Sequence, residues 1–341
     1  MAAISLKNIE EEKVWEDFLH IHPEANFLQS WYWGEFHKAL GSVIHRTGFY
    51  RGDVLVGVML SVVEDARRGR YLTVPAGPII DWEDQEVVGS SIDEIKKQSA
   101  ADKCVFARVR PQLESNDFSK NLFKKLGFVS APIHLHAELT SQLDLSPDED
   151  SLLANMRKAT RYEVKKGISQ GIKITTTQDP EAIKKFYDIQ LATSERQKFV
   201  PFSYKFLYEQ FKVFAAAGKA LLYSAELDGK LLAQGFIIFY NQEAAYHYGA
   251  GTEEGRKYPG AYLIQWEAIK EAKRRGIKRY NFWGVTREDQ KQHRFYKLSI
   301  FKRGFGGKDL EYLHAQDLVI NKIGYFKNWI IENIRKRARR V

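Results

Sequence analysis

Twice along this chain a tight-turn signal opens a long apolar run, and a later helix then leads directly into a further strand. Gly52-Asp53 precedes the run at residues 54–63, and Asp228-Gly229 precedes the run at residues 231–240. Turns of this composition join antiparallel strands, because Gly and Asp tolerate the backbone conformation that a two-residue connection demands. A helix predicted over residues 91–103 runs into a strand at 104–109, and one over 262–275, stopped by Gly276, runs into a strand at 277–282. The recurrence predicts an α/β (α+β) chain made of two copies of one unit, each a mixed sheet flanked by helices. The join is expected near residues 146–150, giving a first domain at 1–148, a second at 149–320 and a C-terminal amphipathic basic helix at 321–341.

Other elements follow from local pattern. Strands are predicted at residues 71–74 and 134–139, with a short helix at 118–126 ending at Gly127. The second half adds helices at 180–196 and 203–217, a strand at 221–227 and another at 244–249. Residues 295–307 alternate cations with aromatics and then meet Gly304, Gly306 and Gly307, which reads as the end of a strand.

With 341 residues, 44% of them hydrophobic, the chain can bury a substantial core. Its single cysteine, Cys104, excludes disulfides within the chain and a thiolate metal cluster, and its apolar setting predicts a buried thiol. The N-terminus turns acidic at once, and no apolar stretch approaches the roughly 18 residues of a membrane span, so a cytoplasmic protein is expected. The balance of 52 Lys+Arg against 43 Asp+Glu, a net charge of +9, favours an anionic partner without choosing among RNA, a nucleotide and acidic lipid.

Three segments can carry chemistry. Arg157, Lys158, Arg161, Lys165 and Lys166 recur at helical spacing, which suits phosphate contacts or a solvated helix face equally. Residues 254–261 precede a helix and would either present backbone N–H groups to a phosphate or serve as an ordinary loop and cap. The segment 295–307 would stabilise developing negative charge, or else pack its aromatics in the core. Chemistry that passes through a tetrahedral oxyanion needs a cation or N–H donors for that oxygen and a route for a proton to leave. No Ser-His-Asp order or metal-ligand spacing competes. Histidines 45, 134, 136, 247, 293 and 314 are scattered, and His134 and His136 have no third ligand nearby in sequence. Structural histidines, no metal and no cofactor are expected. Finally, Ile323, Tyr325, Phe326, Trp329, Ile330 and Ile334 alternate with a terminal basic run, which would lie on an anionic membrane surface or pack on the body.

From Phe27 to Gly307 the order of features resembles the Fem (FemABX) family of non-ribosomal peptidyltransferases. Its markers here are Gln29 with Trp33, the basic stretch from Arg157 to Lys166, Tyr246-His247-Tyr248-Gly249-Ala250, the helix entered at Gln265-Trp266, and Phe301-Lys302 before Gly304. The resemblance implies two tandem acetyltransferase (GNAT)-like domains, an aminoacyl-tRNA donor and a peptidoglycan precursor as acceptor. It implies Lys302 and Phe301 at the reaction centre, with Lys302 stabilising the transfer intermediate or orienting the tRNA terminus. It also implies Tyr248 beside the acceptor, and a cation following Trp33 on the acceptor phosphate, with Lys38 the first choice and His37 the second. The basic stretch would hold tRNA.

Two departures matter. Arg110 stands before Pro111 where relatives often carry an acid, so a general base is missing there. The segment Phe199-Val200-Pro201-Phe202 is apolar where relatives with a nucleotide-linked acceptor are polar and basic, which favours a lipid-linked acceptor and peripheral contact with the inner membrane face. No long heptad segment is present, so a coiled-coil arm is not expected. The rivals are an acyl-CoA-dependent N-acyltransferase, with residues 256–261 cradling pyrophosphate, and a non-catalytic scaffold for RNA or membrane.

Overall fold

The structure, a computed structural model, describes residues 3–66, 69–197 and 200–339. Its contacts divide the chain into Met1–Glu138 with Glu311–Val341, and Leu139–Leu310.

The first unit begins with β1 (Ile4–Asn8), α1 (Glu12–His20) and α2 (Trp31–Leu40). Helix α2 starts where the Ser30 hydroxyl accepts the Trp33 N–H at 3.1 Å, and stops at Gly41, whose φ is 91°. Next come β2 (Ile44–Arg51), β3 (Val54–Ala66), β4 (Gly69–Pro75), the short β5 (Ile79–Ile80), α3 (Gln85–Ala101), β6 (Phe106–Arg110), α4 (Asp117–Lys125) and β7 (Val129–Ser130). Strand β4 and β6 pair in parallel across α3, while β1–β2–β3–β4 is antiparallel. Phe49, Met59, Leu72, Val74, Ile95 and Ala107 form the centre of its core, with Cys104 buried among them.

The second unit comprises β8 (Leu139–Asp144), α5 (Glu149–Asn155), α6 (Lys158–Ser169), β9 (Lys173–Thr177), α7 (Ile183–Gln197), α8 (Tyr204–Ala216), β10 (Ala220–Leu227), β11 (Lys230–Tyr240), β12 (Glu243–Gly251), α9 (Gly260–Arg274), β13 (Arg279–Gly284), α10 (Tyr296–Arg303) and β14 (Lys308–Glu311). Asp228 and Gly229 both have positive φ, 48° and 75°, as the tight turn between β10 and β11 requires. Again one strand pair, β12 with β13, is parallel across a helix. The chain then returns to the first unit through β15 (Gln316–Val319) and α11 (Lys322–Arg339).

The sheet orders show the duplication. The first reads β1-β2-β3-β4-β6-β15-β7 and the second, taken in the matching sense, β9-β10-β11-β12-β13-β8-β14. In each, a late strand pairs antiparallel to the crossover strand: β15 against β6 and β8 against β13. The structure therefore divides the chain differently from the expected boundaries at 148 and 320. Residues 139–148 belong with the second unit, and residues 311–341 with the first, because each sheet borrows that strand from beyond its own repeat.

Two predicted strands are not strands. Residues 134–138 form a loop, and the strand begins at Leu139. The alternation in 295–307 belongs to α10 and the turn that follows it, which set Phe301 and Phe305 against one core and bury Lys302.

Candidate functional site

Strands β12 and β13 pair over only three residue pairs, Glu243 with Arg279, Ala244 with Tyr280 and Ala245 with Asn281. Past Ala245 this ladder makes no further pairing among the described residues. Trp283, in the facing stretch, has φ of 63°, a left-handed conformation that is costly for a bulky residue.

Lys302 reaches into this break from α10. Its Nζ donates to the Gly284 carbonyl at 2.7 Å and stands 5.8 Å from the centroid of the Tyr246 ring. Burial pulls the ammonium pKa down from 10.5 to about 7, so both protonation states are populated near neutrality. Phe301 stands edge-on to Tyr262 at 4.8 Å and to Phe305 at 5.4 Å, forming a rigid apolar wall beside the lysine. The helix is set by a close approach: a Cβ on Gly304 would lie 2.2 Å from Thr160 Oγ1, and the Gly304 carbonyl accepts the Arg157 N–H at 2.9 Å. The end of α10 is thus bonded to the start of the basic helix α6.

Tyr248 lies further along β12, with its ring 3.9 Å from His247 and 5.0 Å from Phe202. Burial raises its phenol pKa. His247 is buried and held neutral, its pKa lowered to about 3, and its Nε2 accepts from the Gln210 amide at 2.9 Å. Phe202 stacks on Phe206 at 4.8 Å and is exposed together with Val200, making an apolar lip next to Tyr248. Phe199, of the same segment, lies outside the described residues.

On α6, Arg157, Lys158 and Lys165 are exposed, and Arg161 and Lys166 half-buried. Arg161 donates to the Ala154 carbonyl, and none of the five makes an ion pair among the described residues. The loop before α9 reads differently: a Cβ on Gly255 would lie 2.0 Å from the Leu232 carbonyl oxygen, and one on Gly260 3.0 Å from the Ala225 Cβ. Both glycines are accounted for by packing on β10 and β11.

In the first unit Gln29 is fully buried, and its amide bonds the Leu60 carbonyl at 3.1 Å, the Leu60 N–H at 2.9 Å and the Pro75 carbonyl at 2.7 Å. It fixes the entry to α2 against β3 and β4. From α2, Trp33 stands 5.2 Å from His37 and 6.1 Å from His136. Burial lowers the His37 pKa to about 4, leaving a neutral ring. Lys38 points elsewhere, exposed and paired with Glu35 at 3.0 Å, and Glu35 also binds Arg46 at 2.8 Å. Arg110 is buried and lines a narrow cleft with His136, Thr73 and Leu135.

Folding also gathers histidines that are distant in sequence. The loop residue Glu138 accepts from His314 at 2.7 Å and from the Ala315 N–H at 2.8 Å, and His134 lies 3.8 Å from the same carboxylate. His314 Nε2 meets the Ala131 carbonyl at 2.8 Å, so both ring nitrogens face acceptors. Burial works against the charged ring, but these acceptors raise its pKa. The arrangement is an ion pair that fastens the returning chain to the first unit.

Sequence reading missed Gln210 and Trp283. Gln210 sits in α8 among apolar neighbours, and Trp283 is distinguished only by its backbone conformation, so neither carries a local signal.

Two repeated units, each with a parallel strand pair bridged by a helix, define a tandem acetyltransferase-like fold, the class of two-domain acyltransferases. A tandem GNAT protein from the clavulanic acid biosynthesis pathway matches it with a TM-score of 0.58 at 11% identity, covering 93% of this chain and 98% of that one. The crystal structure of FemX matches with a TM-score of 0.85 at 18% identity, covering 96% of this chain and all of that one. In sequence, the aminoacyltransferase FemA of Staphylococcus aureus (strain bovine RF122 / ET3-1) is 23% identical over 401 aligned positions, covering 92% of this chain and 95% of the relative. The FemAB family matches residues 10–132, 127–232 and 224–331. This chain belongs to the FemAB family and is an acyltransferase.

Proposed function

We propose that this protein transfers an amino acid from an aminoacyl-tRNA to an amine on the stem peptide of a peptidoglycan precursor, building a cross-bridge or branch. The amine attacks the ester carbonyl, forming the C–N bond. The C–O bond to the terminal ribose then breaks, and the amine proton ends on the released ribose hydroxyl. Lys302, buried at the break between β12 and β13, carries the proposal. One of its protons is held by Gly284, and the ammonium is desolvated, which strengthens its interaction with an oxyanion. Phe301 shapes the site, and Tyr248 stands with the acceptor.

Unpaired cations along α6, bonded to the end of the Lys302 helix, suit the phosphates of a tRNA terminus. The apolar lip at Val200 and Phe202 favours a lipid-linked acceptor over a soluble nucleotide-linked one. In the first unit, His37 and Trp33, with Lys38 at the surface, are assigned to the acceptor. An acyl-CoA donor is less favoured, since the glycines available to cradle pyrophosphate are used in packing.

The test incubates the purified protein with mixed aminoacyl-tRNAs and a lipid-linked muropeptide, and follows the precursor by mass spectrometry. A mass gain that ribonuclease abolishes is expected. No gain, with saturable CoA binding instead, would overturn the reading.

A further inference from the structure

Among its described residues, helix α11 turns Tyr325, Asn328 and Glu332 inward and Ile323, Phe326, Ile330 and Ile334 outward. On the inner side Arg108 of β6 forms a two-pronged pair with Asp317 at 2.7 and 2.8 Å and also binds Glu332 of α11 at 2.8 Å. The Tyr325 hydroxyl lies 3.1 Å from Asp317, and Asn328 is fully buried on the same face. On the outer side Ile323, Phe326, Ile330 and Ile334, spaced at three and four residues, form one stripe, with exposures of 74% for Ile323, 61% for Phe326 and 63% for Ile334. Trp329 lies beside it, its ring parallel to that of Phe326. Lys322, Lys327, Arg335 and Lys336 are exposed around this stripe.

The helix cannot roll to hide the stripe, because doing so would strip Glu332 from a buried arginine. We propose that the outer face of α11 is the surface by which this protein lies on an anionic lipid bilayer, apolar stripe in the acyl boundary and basic side chains among the headgroups. Aromatic and branched apolar residues flanked by lysines and arginines suit that boundary. A second copy of the chain fits less well, since pairing this face with itself would set its basic residues against one another. The inference stands on α11 and its partners, independently of the transfer reaction.

The test uses the full chain with vesicles of phosphatidylglycerol and phosphatidylcholine, or of phosphatidylcholine alone, in a sedimentation assay. Binding to the anionic vesicles, weakened by salt, is expected, with a blue shift of tryptophan emission that Trp329→Phe removes. The double variant Phe326→Glu/Ile330→Glu, at exposed positions and with an unchanged melting temperature, should bind at least about tenfold more weakly. No binding to anionic vesicles at low salt, or equal binding by the double variant, would overturn the proposal. So would a concentration-dependent dimer that this variant abolishes and that excludes vesicles. Transfer onto a detergent-solubilised acceptor is measured alongside. Its absence with vesicle binding intact counts against the reaction alone, and the reverse against the membrane surface alone.

Discussion

The Nζ of Lys302 donates to the carbonyl oxygen of Gly284 at 2.7 Å, at the place where β12 and β13 cease to pair. A buried lysine needs such an acceptor, because an ammonium taken out of water without one is costly. In the reaction proposed above, the chemistry would depend on two elements, α10 and the end of β13, that keep this pair together.

Replacing Lys302 by Met keeps the volume and removes the donor. Single-turnover transfer should fall by about 10²–10³, the usual loss for one preorganised oxyanion donor. Full activity in this variant would remove Lys302 from the chemistry.

The same lysine shapes the pH dependence of stability. Its folded pKa, about 7, is below the unfolded value of 10.5, so between these values the unfolded chain binds more protons. Stability therefore rises with pH across that window, by at most about 1.4 kcal/mol per unit from this group, and the burial penalty is fully present below it. Denaturant midpoints measured between pH 7 and 10 should show this slope, and Lys302→Met should flatten it. An identical slope in both proteins would contradict the desolvated lysine.

Gln29→Leu should destabilise the first unit by about 3 kcal/mol or more, since three buried backbone groups of Leu60 and Pro75 lose their partner. Gly77→Ala is expected to act in the same direction, because its Cβ would lie 2.4 Å from Gln29 Cδ. Urea unfolding of each variant gives the answer. A loss under 1 kcal/mol for Gln29→Leu would show that the contacts matter little.

Arg157, Lys158 and Lys165 are exposed and unpaired, so their joint replacement by Gln should leave stability within about 0.5 kcal/mol. If they meet tRNA phosphates, affinity drops and the slope of log affinity against log salt shrinks by about two to three. An unchanged salt slope would assign the helix to solvent.

Tyr248→Phe retains the ring between His247 and Phe202 but removes the hydroxyl. The KM for the stem-peptide acceptor should rise about tenfold, as expected for one lost hydrogen bond, with kcat much less affected. A change confined to kcat would place Tyr248 at the reacting atoms instead.

Much of the fold was legible because its signals are local. The turn at Asp228 and Gly229 and the stops at Gly127 and Gly276 each act within a few residues. The segment around Lys302 misled because six or seven residues of alternating cations and aromatics fit both a strand and a short helix. Only the core against which Phe301 and Phe305 pack selects the helix. Among the candidate residues, the α6 cations were readable from spacing, whereas the separation of His37 from Lys38 was not. Adjacent side chains on a helix point about 100° apart, and which one meets the interior depends on what covers it.

By itself, the sequence determined that the chain folds as a duplicated α/β unit, where many of its helices and the central strands of both sheets lie, and which cations are available for an anionic partner. Turn chemistry, capping and periodicity are written in neighbouring residues, so they need no knowledge of distant chain. The tertiary structure alone decided that β8 and β15 complete the sheets, that Glu138 meets His314, and that Lys302 is buried beside Gly284 with a depressed pKa. Each of these depends on desolvation or pairing between segments far apart in sequence, and these arise only once the sheets have assembled.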